Sequence, residues 1–256
     1  LGRPHGFADE TQGTLFFDVA RILDEKRPAA FLLENVRNLA SHDGGRTFDV
    51  ILRTLRDDLG YSVSWKLMDA SLWVPQKRVR IAIVGFRDGG EFDFSDVRLP
   101  ASGPKLDAVL HVEGEPGSDG CPYAPGGVPD PRYTLSEGLW SFLQGYAVKH
   151  AAKGNGFGCS VVGPEDVART MSARYYKDGS EILVRQDGPR PRKLTPRECA
   201  RLMGFETREG PRMAIPVSDT QAYKQFGNSV AVPCFQAVAE AMALRLGPDS
   251  AMAAAA

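Results

Sequence analysis

No stretch of this sequence is apolar for long enough to cross a bilayer, and no cleavable signal-like segment opens it, so no membrane role is expected. Cysteine is sparse. The four residues, Cys121, Cys159, Cys199 and Cys234, form no CxxC pair, which argues against structural zinc and against a disulfide scaffold. A reducing, cytoplasmic setting is the expectation. His5, His42, His111 and His150 are dispersed, so neither a histidine metal site nor a Cys/His dyad is read from their spacing. Charge of one sign is lacking too. The formal net charge is -1, and any affinity for polyanions must come from local arginine clusters. A glycine-rich loop directly after a strand is missing. Gly154, Gly156 and Gly158 are spaced like one, but they follow a helical stretch and a lysine-containing turn, and no helix opens after them. That counts against a nucleotide-binding Rossmann enzyme and leaves a flexible loop. Internal repeats are absent.

What is present is organised in three parts. A length of 256 residues allows one large domain or two smaller ones. Residues 1–88 alternate in a βα manner. Leu15, Phe16, Val19, Ile22 and Leu23 share one side of a helix, with Thr14 as its N-cap and Pro28 ending it. Ala29 to Leu33 is a continuous apolar run, which reads as a strand buried on both faces, as in a parallel sheet. Phe48, Ile51, Leu52, Leu55 and Leu59 recur at helical spacing, and Gly60 closes that helix. Tyr61–Leu67 and Arg80–Phe86 read as strands. The fold class is α/β, half of a doubly wound, Rossmann-like sheet.

Residues 89–190 are richer in Gly, Pro and Asp, with one helix around Leu135–Tyr146 and one short strand at Ile182–Val184. This segment reads as a smaller irregular lobe. Residues 191–247 return to helix: Thr195, Pro196 and Glu198 form a capping box with proline at the first helical position. Pro233 starts a last helix, and 248–256 reads as a disordered tail.

Some residues carry chemistry. Glu34 follows an apolar strand, where open α/β sheets place their ligand crevice; a helix cap or a solvated turn would explain it equally. Arg78 and Arg80 alternate on a strand and so share a face. Arg169, Arg174, Lys177 and Arg185 interleave with Tyr175 and Tyr176, which suits contacts to phosphates and guanine edges, or else a solvated strand pair with half-buried tyrosines.

Taken together, four segments resemble the cytosine-C5 DNA methyltransferase family. They are Gly13-Thr14-Leu15-Phe16-Phe17, Glu34-Asn35-Val36, the Gln-x-Arg-x-Arg block at Gln76, Arg78 and Arg80, and Gly227-Asn228-Ser229-Val230, in the family's order. Lys153–Gly158, Thr170–Gly179 and Leu194–Phe205 are similar to the bacterial Dcm-type enzymes, which methylate the inner cytosine of CCWGG sites. The resemblance implies S-adenosylmethionine as cofactor, double-stranded DNA as partner and a flipped cytosine.

A thiolate adds to C6 and makes C5 carbanion-like, and charge grows on N3 and O2. The family roles place Glu34 at N3 and Arg80, with Arg78 beside it, at O2. Leu15, Asn228, Ser229 and Val230 match positions that line the cofactor pocket. Asn35, Gln76, Lys153, Asn155, Arg174, Tyr175 and Lys177 are the expected DNA contacts.

The sequence departs from the family in having no Pro-Cys nucleophile in a suitable context. Pro233-Cys234 follows the last block, on an apolar helix face, and reads as core packing. Gly2 to Phe7 resembles the tail of the catalytic loop. The chain is therefore expected to be inactive alone and to need an N-terminal methyltransferase segment or subunit bearing the donor loop and the cysteine. A half sheet exposing one side is also expected to seek a partner, another copy included. The competing expectation is a catalytically inactive DNA-binding module that retains the fold.

Overall fold

The computed structural model describes residues 13–154 and 159–247. The chain divides into two compact units, one of residues 1–69, 79–99 and 235–256, the other of residues 70–78 and 100–234. The segment 191–247 is thus shared between them.

In the first unit α1 (Gly13–Lys26) begins at Gly13, so Thr14 lies in its first turn rather than capping it. The three strands β1 (Ala30–Val36), β2 (Ser62–Asp69) and β3 (Val79–Phe86) form a sheet in the order β1-β3-β2. Both pairings with β3 are antiparallel, which corrects the parallel reading of β1. The apolar run of β1 is not enclosed on both faces, and among its apolar residues Phe31 is the buried one. The doubly covered strand is β3, where Ile81, Ala82, Ile83, Val84 and Phe86 are all buried. Each large aliphatic side chain so enclosed contributes roughly 1.5–3 kcal/mol.

Gly85 sits opposite Phe31, and a Cβ there would fall 2.2 Å from the phenyl ring. The missing side chain lets the ring lie across the strand and meet Tyr61 edge-on at 5.1 Å. The helix predicted around Phe48–Leu59 is α2 (Arg46–Arg53), continued by a wider π-helical turn over Thr54–Asp58. It buries Phe48, Ile51, Leu55 and Leu59, and Gly60 takes the left-handed φ of 73° that turns the chain into β2.

In the second unit α3 (Glu137–Ala151) is capped by Ser136, whose hydroxyl accepts from the Leu139 amide. Three two-residue strands, β4 (Val161–Val162), β5 (Leu183–Val184) and β6 (Arg192–Lys193), pair around β5. The helix α4 (Pro196–Leu202) has the expected capping box, Thr195 with Glu198, and every one of its residues is buried. The remaining helices are α5 (Asp219–Asn228) and α6 (Val232–Leu246).

By length and composition the span Asp219–Leu246 meets the requirement for a membrane-crossing helix, contrary to the sequence reading. It is broken after Asn228 into two helices, with Tyr223, Phe226, Phe235 and Val238 buried.

The core of the second unit contains charges as well as apolar side chains. Glu198 accepts from Arg192 Nη1 and Nη2 at 2.7 and 2.8 Å, from the Thr195 amide at 2.8 Å and from the His111 amide at 3.0 Å. Glu115 is met by Arg201 Nη2 at 2.8 Å and by His111 Nδ1 at 2.7 Å, and Arg208 and Arg212 stand nearby. Burial pushes the Glu115 carboxyl up, but the hydrogen bonds from Arg201 and His111 outweigh it and hold the group at about 2. Buried charges held this closely make a rigid, unforgiving core.

Candidate active site

The site is built on the first unit's sheet. Glu34 lies within β1, two residues before its end, rather than just after the strand. It pairs across the ladder with Ala82, while Arg80 pairs with Val36. Glu34 and Arg80 are therefore diagonal neighbours on one face, which brings long side chains within reach. Arg80 Nε lies 3.0 Å from Glu34 Oε1, with the two side chains 13% and 26% exposed. Arg80 Nη1 also donates to the Val79 carbonyl at 2.9 Å. Burial pulls the Arg80 guanidinium below its ordinary value, and the Glu34 carboxylate opposes that shift.

Glu34 opens onto a cavity of about 650 Å³. Leu15 and Phe16 of α1 give it an apolar wall, and Asn35, His42 and Thr47 add polar groups. Leu15 is 69% exposed at its rim. Asn35 is exposed, and its side-chain oxygen accepts from the Val36 amide at 2.8 Å. His42 and Thr47 meet at 2.7 Å between Nδ1 and Oγ1. Neither carried a signal in the sequence, because each reaches the cavity from an irregular 3-10 segment or a helix start with no motif.

Arg78 does not join Arg80. It belongs to the second unit, is 2% exposed, and donates to the carbonyls of Met171 at 2.9 Å, Gly227 at 3.0 Å and Ser229 at 2.7 Å. Its expected place beside O2 is corrected, since the guanidinium is committed to backbone. Gly227 is needed for this knot: a Cβ there would lie 2.3 Å from the Ser172 carbonyl oxygen.

Gln76 is corrected as well. It is fully buried, its Oε1 accepts from the Met171 amide at 2.8 Å, and its Nε2 faces the Met203 sulfur at 3.3 Å. Tyr175 is no surface contact either. Its ring is fully buried against Tyr223, and its hydroxyl donates to Ile182 O at 2.7 Å and accepts from Leu194 N at 2.8 Å.

Asn228 is the exposed last residue of α5, Ser229 caps that helix with its hydroxyl donating to Phe226 O at 2.8 Å, and Val230 follows half-buried. Lys153, Arg174 and Lys177 are exposed. Asn155 lies outside the described residues. Among the described residues no three His, Cys, Asp or Glu side chains gather to hold a metal.

An acid and a guanidinium thus stand diagonal on one face of an α/β sheet, and the acid borders a ligand-sized cavity. The fold is similar to that of the S. pombe Dnmt2 methyltransferase, with a TM-score of 0.67 at 17% identity, covering 93% of this chain and 75% of that one. The chain belongs to the C-5 cytosine-specific DNA methylase family, whose pattern matches residues 1–244.

Among curated relatives, the DNA-cytosine methyltransferase of Escherichia coli strain K12 is 48% identical over 94% of this chain and 55% of its own length. The Type II methyltransferase M1.ScrFI of Lactococcus lactis subsp. cremoris is 47% identical over 94% of this chain and 58% of its own length. The Type II methyltransferase M.NlaX of Neisseria lactamica is 46% identical, with 97% and 73% covered. The chain thus spans a little over half the length of the first two.

Proposed function

We propose that this chain carries the charge-handling half of a DNA (cytosine-5-)-methyltransferase site, acting on a flipped cytosine in a short duplex sequence. The observation that supports it is the Glu34–Arg80 pair, 3.0 Å apart and partly open beside the cavity. When C6 of cytosine is attacked, negative charge develops on N3 and O2. A carboxyl at N3 shares or supplies a proton, and a guanidinium at O2 stabilises the charge. In the resting pair each side chain serves as the other's partner. An entering base would take the same two groups, the acid on its N3 edge and the arginine on its carbonyl oxygen.

The cofactor of this reading is S-adenosylmethionine, which supplies an electrophilic methyl group when bound. The residues present fit part of it: the apolar wall of Leu15 and Phe16 offers a face for a purine ring. Asn228, Ser229 and Val230 are the further contributors on this reading. Duplex DNA contacts fall to Asn35, Lys153, Asn155, Arg174 and Lys177, all but Asn155 described and exposed.

The attacking thiolate is supplied from elsewhere on this reading. Cys121, Cys199 and Cys234 are buried, and burial pushes the thiols of Cys199 and Cys159 up, away from the thiolate. A segment or subunit bearing the cysteine and donor loop would complete the site. The same thiols favour a second reading, an inactive DNA-binding module. Mixing the chain with a candidate N-terminal methyltransferase segment, followed by bisulfite sequencing, separates the two. Methylation only in the mixture supports the first; methylation by the purified chain alone refutes the need for a partner; none in either supports the second.

A further inference from the structure

We propose that the solvent-facing side of α3 is a stacking surface for the unpaired bases of single-stranded DNA, separate from the Glu34–Arg80 site. Phe142, Tyr146 and His150 follow one another at four-residue spacing, so their rings succeed one another along the helix, the last tilted by 49° to its neighbour. Phe142 and Tyr146 lie nearly parallel, 18° apart with centroids at 5.7 Å, and Tyr146 and His150 are 4.2 Å apart. A soluble protein would ordinarily turn such rings inward, yet Phe142 is 61% and Tyr146 37% exposed. The inward contact of α3 is made by Leu143 instead, which is 1% exposed.

Two further features say what would cover this side. The first is charge. Lys149 falls at the seventh position after Phe142, on the same side, and Lys153 follows in the turn beyond the helix; both are exposed. The acidic residue of α3, Glu137, stands at its opposite end. Exposed rings followed by ammonium groups match a chain of bases and phosphates better than they match an apolar protein surface. The second is clearance. Gly138 and Gly145 flank Phe142, and a Cβ on either would meet nothing within 4 Å. The helix surface beside Phe142 is therefore open at both glycines. Membership of a DNA methylase family makes DNA the strand at hand.

The test is fluorescence anisotropy of the full chain with a labelled oligothymidylate of about twelve nucleotides, beside a duplex of equal length. The double variant Phe142→Ala/Tyr146→Ala should weaken single-strand binding roughly tenfold to hundredfold and leave duplex binding within about twofold. Phe142→Trp should retain it, and Val148→Ala, also on α3 and 71% exposed, should be silent. Lys149→Gln/Lys153→Gln should flatten the logarithmic salt dependence by about 1.4. Circular dichroism checks that the variants fold. Unchanged single-strand affinity in the aromatic double variant, an equal loss on duplex, or no binding of the oligothymidylate by the unmodified chain would each overturn the proposal. The outcome does not depend on whether Glu34 and Arg80 act in methyl transfer.

Discussion

Arg80 meets Glu34 with side chains 13% and 26% exposed, whereas Arg192 meets Glu198 with 7% and 0%. Both are arginine–glutamate pairs, and both are close. They differ in surroundings. Glu198 is enclosed, and its oxygens take two guanidinium nitrogens and two amides. Removing any partner strands a buried charge. Glu34 faces a cavity and can be reached by something other than its arginine. The difference separates an ion pair that holds a fold from one that, on the proposed function, is exchanged for a ligand.

The comparison can be broken at several points. The largest effect is expected for Glu198→Ala, which should lose about 3–5 kcal/mol in chemical denaturation, because it opens the capping box and leaves Arg192 buried without its carboxylate. A loss under about 1 kcal/mol would make the enclosed pair no different from a surface one. Next comes Glu34→Gln in the reconstituted enzyme. Turnover measured by methyl incorporation should fall roughly 100- to 1000-fold. Stability should change by less than about 1 kcal/mol. Near-normal turnover would remove Glu34 from the acid role.

The third test uses pH. The Glu115 carboxyl is held at about 2, below its ordinary 4.5. A depressed carboxyl adds stability above the unfolded value and loses it as pH falls toward the folded one. About 3 kcal/mol should therefore disappear between pH 4.5 and 2, and Glu115→Gln should flatten that slope. The smallest effect is expected for Arg78→Lys. An ammonium cannot reach three carbonyls as the planar fork does, and the loss should be about 1–3 kcal/mol by thermal melting. A silent variant would mean that the three carbonyls do not need the fork.

Much of the local structure was legible in residue order. The apolar runs of β1 and β3, the helical spacing of Phe48 to Leu59 and the capping box at Thr195 follow from local periodicity and local hydrogen bonding, and these appear where expected. Strand direction was not legible, since an apolar run at a sheet edge and one in a parallel core look alike. Glu34 and Arg80 could be paired only through the family resemblance, which puts both at one base; the antiparallel ladder that joins them was not foreseen. Gln76, Arg78 and Tyr175 misled for one reason: polar side chains read as surface unless their buried partners are known. The partners of Gln76 and Arg78 lie between 93 and 151 residues away. Nothing near them in the chain announces that pairing. Of the two cavity residues, His42 was missed because irregular backbone has no periodicity to betray which way a side chain turns, and Thr47 because it sits at a helix start with no motif.

Arg80 is rooted in the middle strand of its sheet, opposite Val36 on one flank and Met68 on the other. Slippage by a single residue would swing the guanidinium to the reverse side of the sheet and break two ladders at once. The register of the Glu34–Arg80 pair is thus quantised: the two side chains either share a face of the sheet or lie on opposite ones, with no graded series between.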